Sequence, residues 1–193
     1  MTEQARSLSP LDAAEFVVKR PDLEGLYKKL AIESTRGTPL GIAQVAGNKA
    51  LLMLNWFTSD WLFPARPWEV LDKDGLPILW IEFGGLVRPV VLTVRRPDRS
   101  LIGRLIGQTW LTTWRNKGFW VEIDGQRTGE ILADKSEYRF VDSARSELGR
   151  AEKKPGRAPY TIRYARTTFR AEQPLSEAHA GLALAAAILR HIV

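Results

Sequence analysis

The chain contains no cysteine and only two histidines among its 193 residues. Without thiols it can form no disulfide framework, thiol nucleophile, cysteine-ligated zinc site or iron–sulfur cluster. His179 and His191 sit twelve residues apart in one C-terminal segment. On a helix they differ by about 120° in direction and cannot share a metal ion, and no catalytic triad is indicated. The glycines supply no phosphate loop either. Gly84-Gly85 and Gly103-Arg104-Leu105-Ile106-Gly107 lack both the Lys-Ser/Thr of a P-loop and the strand-turn-helix setting of a dinucleotide fingerprint. Of the carboxylates available as acids or bases, Asp72, Asp74, Asp98, Asp124 and Asp142 fall in turn positions, where bonds to the local backbone account for them.

Long hydrophobic runs are equally scarce. The N-terminus, Met1 to Ser7, has neither the basic nor the apolar region of a secretory signal. The longest apolar run, Ala178 to Val193, makes a helix of about 24 Å. A bilayer core is about 30 Å thick, and the run also carries His179, Arg190 and His191. The expectation is a cytoplasmic protein with no transmembrane span, in peripheral contact with a membrane at most.

What the chain does have is an uneven positive charge. Its net charge is +6, from 28 Lys and Arg against 22 Asp and Glu. Residues 1–87 carry a net −2 and residues 88–193 a net +8. Clustered cations attract anionic partners, either a membrane surface or a nucleic acid backbone. A basic surface that only keeps the protein in solution fits the same figures.

From about Glu15 to Tyr164 the apolar residues recur with period two. Leu79, Ile81 and Phe83 oppose Trp80 and Glu82; Val90, Leu92 and Val94 oppose Val91, Thr93 and Arg95; Phe119, Val121 and Ile123 oppose Trp120 and Glu122; Tyr160, Ile162 and Tyr164 oppose Thr161 and Arg163. Each set marks one face of a strand. A strand-turn-strand unit then repeats five times, at 32–42, 70–78, 94–103, 121–131 and 140–149. Asp and Gly in its turns supply side-chain bonds and positive φ. Gly41, Gly103, Gly129 and Gly149, just inside the returning strands, predict a bend or a close backbone approach.

The pattern breaks at the C-terminus. Pro174 suits a first helical turn, Glu177 an N-terminus and Arg190 and His191 a C-terminus, which predicts a helix over 174–193. Gly181 to Leu189 is apolar around the whole circumference, so this helix must be buried on every side. In a chain otherwise made of strands, a closed barrel wrapped around the helix achieves that, and the alanines keep the helix thin. The fold class is therefore mainly β, a closed antiparallel barrel around one C-terminal helix. Residues 1–14 are expected as a flexible segment and 15–193 as a single domain.

Hairpins with D-x-x-G or D-G turns followed by an apolar-Gly pair, an entry strand Phe16-Val17-Val18-Lys19 and the terminal hydrophobic helix together resemble the tubby-like superfamily, nearest its phospholipid scramblase and LURP-one-related branch. The resemblance runs over about 15–193. It implies a barrel of about twelve strands around the helix, and phosphoinositide binding through surface Lys and Arg. The chain departs from the animal scramblases in lacking a cysteine cluster, a Pro-rich amino-terminal arm and an Asp-rich calcium loop. The segment before the last helix, Arg170 to Glu177, offers only Glu172 and Glu177 as ligands, where calcium needs several converging carboxylates.

Two basic clusters stand out as anion-binding candidates: Arg95, Arg96 and Arg99 at one hairpin tip, and Lys153, Lys154 and Arg157 at another connection. Pro and Gly in both predict exposed turns. Of the seven tryptophans, Trp56, Trp61, Trp68, Trp110, Trp114 and Trp120 fall in or beside predicted strands, as core or rim packing; the stretch 110–120 also has the aromatic-basic mixture of a membrane-interface or single-strand-stacking segment. The expectation is a non-enzymatic domain without cofactor or metal that binds anionic phospholipid headgroups or acts as a membrane-associated adaptor. A protein-interaction scaffold with no lipid ligand is the alternative, and sequence-blind nucleic acid binding a third, disfavoured by the lack of a recognition helix or ribonucleoprotein motif.

Overall fold

The structure is a computed structural model and describes residues 9–19, 29–47, 67–84, 90–108, 118–134, 137–155 and 164–192. Twelve antiparallel strands follow one another along the chain: β1 (Glu15–Lys19), β2 (Lys29–Glu33), β3 (Pro39–Val45), β4 (Trp68–Asp72), β5 (Pro77–Gly84), β6 (Val91–Arg95), β7 (Leu101–Gly107), β8 (Gly118–Ile123), β9 (Gln126–Ala133), β10 (Glu137–Asp142), β11 (Glu147–Pro155) and β12 (Tyr164–Ala171). Each pairs with its sequence neighbours, and β1 pairs with β12, Phe16 opposite Phe169 and Val18 opposite Thr167, so the sheet closes into a barrel. This is the expected architecture, with the twelve strands that the resemblance implied.

The five repeats are five β-hairpins, and their turns follow from local chemistry. In four of them the amides of Ser34, Asp72, Arg96 and Asp142 donate to the carbonyls of Thr38, Leu76, Ser100 and Ser146 at 2.8–3.0 Å. The residue three further on, Gly37, Gly75, Arg99 or Arg145, donates back and has φ of 83°, 81°, 70° or 65°. This is the three-residue hairpin loop, a type I turn closed by one left-handed residue. Short side chains brace it: Asp72 Oδ1 accepts from the amides of Asp74 and Leu76 at 2.9 and 2.8 Å, and Asp142 Oδ1 from Ser146 at 2.8 Å. The fifth turn is Asp124-Gly125, with φ of 51° and 74°, the two-residue type in which both residues need positive φ.

A bulge sits at the same place in all five hairpins. The register slips after Ile32, Val70, Val94, Val121 and Phe140, leaving Leu40, Ile78, Ile102, Thr128 and Leu148 as the extra residues. A bulge bends its strand and increases the twist, which curls each tip and, in four of the five hairpins, presses the following glycine (Gly41, Gly103, Gly129 or Gly149) against the next strand. A Cβ at Gly103 would lie 2.6 Å from the Glu122 carbonyl oxygen, and one at Gly129 would collide with that of Val141. The apolar-Gly pair of the repeat is thus a bulge followed by a contact that no side chain fits.

Helix α1 (Glu177–Ile192) starts three residues later than expected. Its N-cap is Ser176, whose Oγ accepts the His179 amide at 3.3 Å and lies 2.8 Å from His179 Nδ1. Pro174 lies outside the helix. From Ala180 to Leu189 every residue is buried, against the inward faces of β1, β6, β7 and β12 among others. The wall supplies Val18, Ile32, Val70, Leu79, Ile81, Leu92, Val94, Leu105, Ile131 and Phe169, all fully buried. Phe169 stacks on Phe16 at 4.9 Å and meets Phe140 edge-on at 5.3 Å. The five hairpin tips and the start of α1 share one end of the barrel, and α1 runs from there to the other.

The parity of the strands agrees with the alternation in β5, β6 and β8. Residues 160–162 lie outside the described residues. The apolar alternation of the sequence ends at Tyr164, whereas β12 continues to Ala171 with Thr167 and Phe169 inward and Arg166, Thr168 and Arg170 outward. Beyond Tyr164, Phe169 is the one large apolar residue among alanines, threonines and arginines, too weak a pattern to mark a strand. Before β1, residues 9–14 form a turn, with the Ala14 carbonyl accepting the Ala171 amide at 2.8 Å.

Candidate functional site

The first cluster lies on the β6–β7 tip, where Arg99 is exposed and Arg95 and Arg96 are half-buried, and its charges are answered by carboxylates of the tip and of β5 and α1. Arg95 Nε donates to Glu82 Oε2 at 3.1 Å, and Arg99 Nη1 lies 3.6 Å from the other oxygen of that carboxylate. The Arg99 guanidinium also covers the Trp80 ring at 3.7 Å. Arg96 reaches the first turn of α1, donating from Nε and Nη2 to the two Glu177 oxygens at 2.9 and 3.3 Å. That hydrogen bond, with the charge of Glu177, raises the Arg96 pKa above its ordinary value. The Ser100 side chain and amide hold Asp98 below the usual carboxylate range. Three arginines therefore face Glu82, Asp98 and Glu177, and the tip carries no net charge.

The second cluster is divided. Lys153 and Lys154 belong to β11, not to an exposed turn, and the pleat sends them to opposite faces. Lys153 is buried, 5% exposed, contrary to its expected place on the surface. Its Nζ lies 4.0 Å from the centre of the Tyr138 ring and donates to the Asp134 carbonyl at 3.3 Å. Burial, and next the nearby Arg190, lower its pKa from 10.5 to about 7. Arg157 lies outside the described residues. Arg96 and Lys153 lie toward opposite ends of the barrel, since Arg96 meets the first turn of α1 whereas Arg190, beside Lys153, is in its last.

Lys154 does point outward, and the register gives it neighbours that the sequence reading did not single out. It lies directly opposite Arg166 of β12, and Arg166 lies opposite Lys19 of β1. Lys154 and Arg166 are exposed, and among the described residues neither has an ion-pair partner. Lys19 pairs with Glu33 at 2.8 Å. Adjacent strands are about 4.8 Å apart, and like charges placed directly across a ladder repel. With Lys19 answered by Glu33, the opposed pair Lys154 and Arg166 is left without a carboxylate among the described residues. Nothing local marks this row, because Lys19 and Arg166 are far apart in sequence; strand pairing alone brings them together.

The remaining candidates resolve as structure. Trp68 is a core residue, 4% exposed. Trp120 and Trp80 are on the outer wall, each under a guanidinium, Arg127 over Trp120 at 3.0 Å. Trp56, Trp61, Trp110 and Trp114 lie outside the described residues. His179 is at the start of α1 and His191 near its end; burial depresses the His179 pKa. Among the described residues no three His, Asp or Glu side chains converge as a metal site, and no helix is long and apolar enough to cross a membrane. A cavity of about 10 Å³ beside His179, Phe140, Phe169 and Leu182 has room for about one water.

No protein-family model matches the chain, and no curated protein sequence does. The fold is similar to the X-ray structure of a protein from Arabidopsis thaliana, with a TM-score of 0.57 over 96% of this chain and 97% of that one, at 12% sequence identity. At that identity the likeness concerns the fold alone.

Proposed function

We propose that this chain is a non-enzymatic binding domain of tubby-like kind, which attaches reversibly to anionic phospholipid headgroups through its outer wall at β11, β12 and β1. The observation that carries the reading is the Lys154–Arg166–Lys19 row, in which two exposed cations stand opposite each other with no carboxylate between them. The hairpin resemblance and the net +8 of residues 88–193 point the same way. Each Lys or Arg near an acidic membrane contributes about 1 kcal/mol, so the row supports weak, salt-sensitive attachment. The self-neutralised β6–β7 tip contributes little.

Co-sedimentation with neutral, phosphatidylserine and phosphoinositide vesicles at two salt concentrations tests this. The expected result is a preference for anionic vesicles that weakens with salt, is lost in Lys154→Glu/Arg166→Glu and survives in Arg96→Glu. Equal sedimentation with neutral and anionic vesicles at low salt would sink the proposal. Loss of binding in Arg96→Glu with the double variant unaffected would move the site to the hairpin tip.

A further inference from the structure

At the far end of the barrel the last turn of α1 meets the wall through one aromatic ring. Tyr138 of β10 is buried, 5% exposed, and is faced by a basic group from each partner: Lys153 Nζ of β11 at 4.0 Å and the Arg190 guanidinium of α1 at 4.7 Å from its centre. Lys153 is tied further to the Asp134 carbonyl in the β9–β10 connection. On its other side, in register on β12, stands Thr167, fully buried and uncharged. Among the described residues, the titratable and charged groups that face the amine include Asp134, Tyr138 and Arg190, with His191 buried beside Arg190 on the same turn.

Cations gain from an aromatic face, but two of them on one ring repel each other, and a buried ammonium forgoes its hydration. We propose that Lys153, Tyr138 and Arg190 form a proton-sensitive latch that holds the C-terminal turn of α1 in the barrel while the Lys153 amine is neutral and loosens it when the amine is charged. Arg190 keeps its charge at all physiological pH values and provides the lasting contact with the ring. Lys153 is the member whose charge changes. This device is separate from the outward-facing row, because the pleat puts Lys153 and Lys154 on opposite sides of the sheet.

The sign follows from linkage. With a pKa of 10.5 in water and about 7 in the closed barrel, the amine binds more protons in the open state between those values, so closure weakens as pH falls through that window and changes little below 7. Any opening that brings Lys153 into water should therefore be about thirtyfold more populated at pH 6.0 than at pH 8.5. Hydrogen exchange of the α1 amides near Arg190, corrected for intrinsic rates, measures that population. Expected is about thirtyfold less protection at the lower pH in the native protein and pH-independent protection in Lys153→Met, which keeps the stem and has no proton to gain. Equal protection of the native protein at both pH values overturns the proposal. The same loss in Lys153→Met also overturns it, because another group, His191 first, would then be titrating. Should Lys153→Met fail to fold, the Lys153 Cε resonance of the native protein decides: a midpoint near 7 agrees with the latch and one near 10.5 refutes it.

Discussion

Replacing Gly181 with alanine should stabilise this protein, and the size of the gain can be worked from the barrel interior. Gly181 is buried in the second turn of α1, where a Cβ would meet Leu79 Cδ2 at 3.6 Å and two Ile102 methyl carbons at 3.8 Å. These are ordinary van der Waals separations, so the methyl enters without displacing the wall. Alanine is favoured over glycine within a helix by about 0.8–1.0 kcal/mol, and a buried methyl adds at most about 0.8 kcal/mol. The expected gain is about 1–2 kcal/mol, or a rise in Tm of about 3–6 °C at this chain length. Thermal unfolding followed by circular dichroism, together with a urea midpoint that rises at constant slope, would measure it. The same substitution at Gly129 must act in the opposite direction. There the new Cβ collides with the Val141 carbonyl oxygen of the neighbouring strand, and a hydrogen-bonded backbone cannot turn aside as a side chain can; the loss should be about 3 kcal/mol, at the upper end of the usual overpacking cost. A fall in Tm for Gly181→Ala would mean that the helix is not seated against β5 and β7 as described. An unchanged Tm for Gly129→Ala would refute the role given to the bulges.

Two further substitutions test other parts of the argument. Ala186→Asp puts a carboxylate at a fully buried position of α1, which should cost several kcal/mol and leave no cooperative unfolding transition; a soluble, folded variant with native circular dichroism contradicts the buried helix. Arg145→Gly relieves a non-glycine residue at φ 65° on the exposed β10–β11 tip, and should stabilise by about 0.5–1 kcal/mol after the added freedom of the unfolded chain is counted. A lower urea midpoint would show that the turn strain is not there.

The turns were legible because their causes are local. Asp72, Asp142 and the Asp124-Gly125 pair carry their conformations in their own side chains and φ preferences, so five hairpins could be placed before any contact was known. The barrel was legible for a different reason. An all-round apolar helix that starts and ends in polar residues leaves a chain of strands few ways to bury it. The course of β12 beyond Tyr164 was not legible because Thr167 and the outward Arg166 and Arg170 carry no apolar alternation, and its place beside β1 depends on a pairing across most of the chain.

The candidate site was harder, again for a physical reason. Charge can be counted along a chain, and the basic second half was visible at once, but whether a cation reaches solvent depends on strand parity, which reverses with each residue. Lys153 and Lys154 are chemically alike in sequence and opposite in the barrel. Whether a cation is free depends on carboxylates brought from far away, as Glu177 is brought to Arg96. The absence of cysteine, the scarcity of histidine and the spacing of turns thus determined by themselves what kind of molecule this is and much of its chemistry by exclusion. Only closure of the sheet decided which charges are cancelled, which is buried against Tyr138, and which stand together on the outer wall, because each of those outcomes is a property of neighbours that the chain meets only when the first strand pairs with the twelfth.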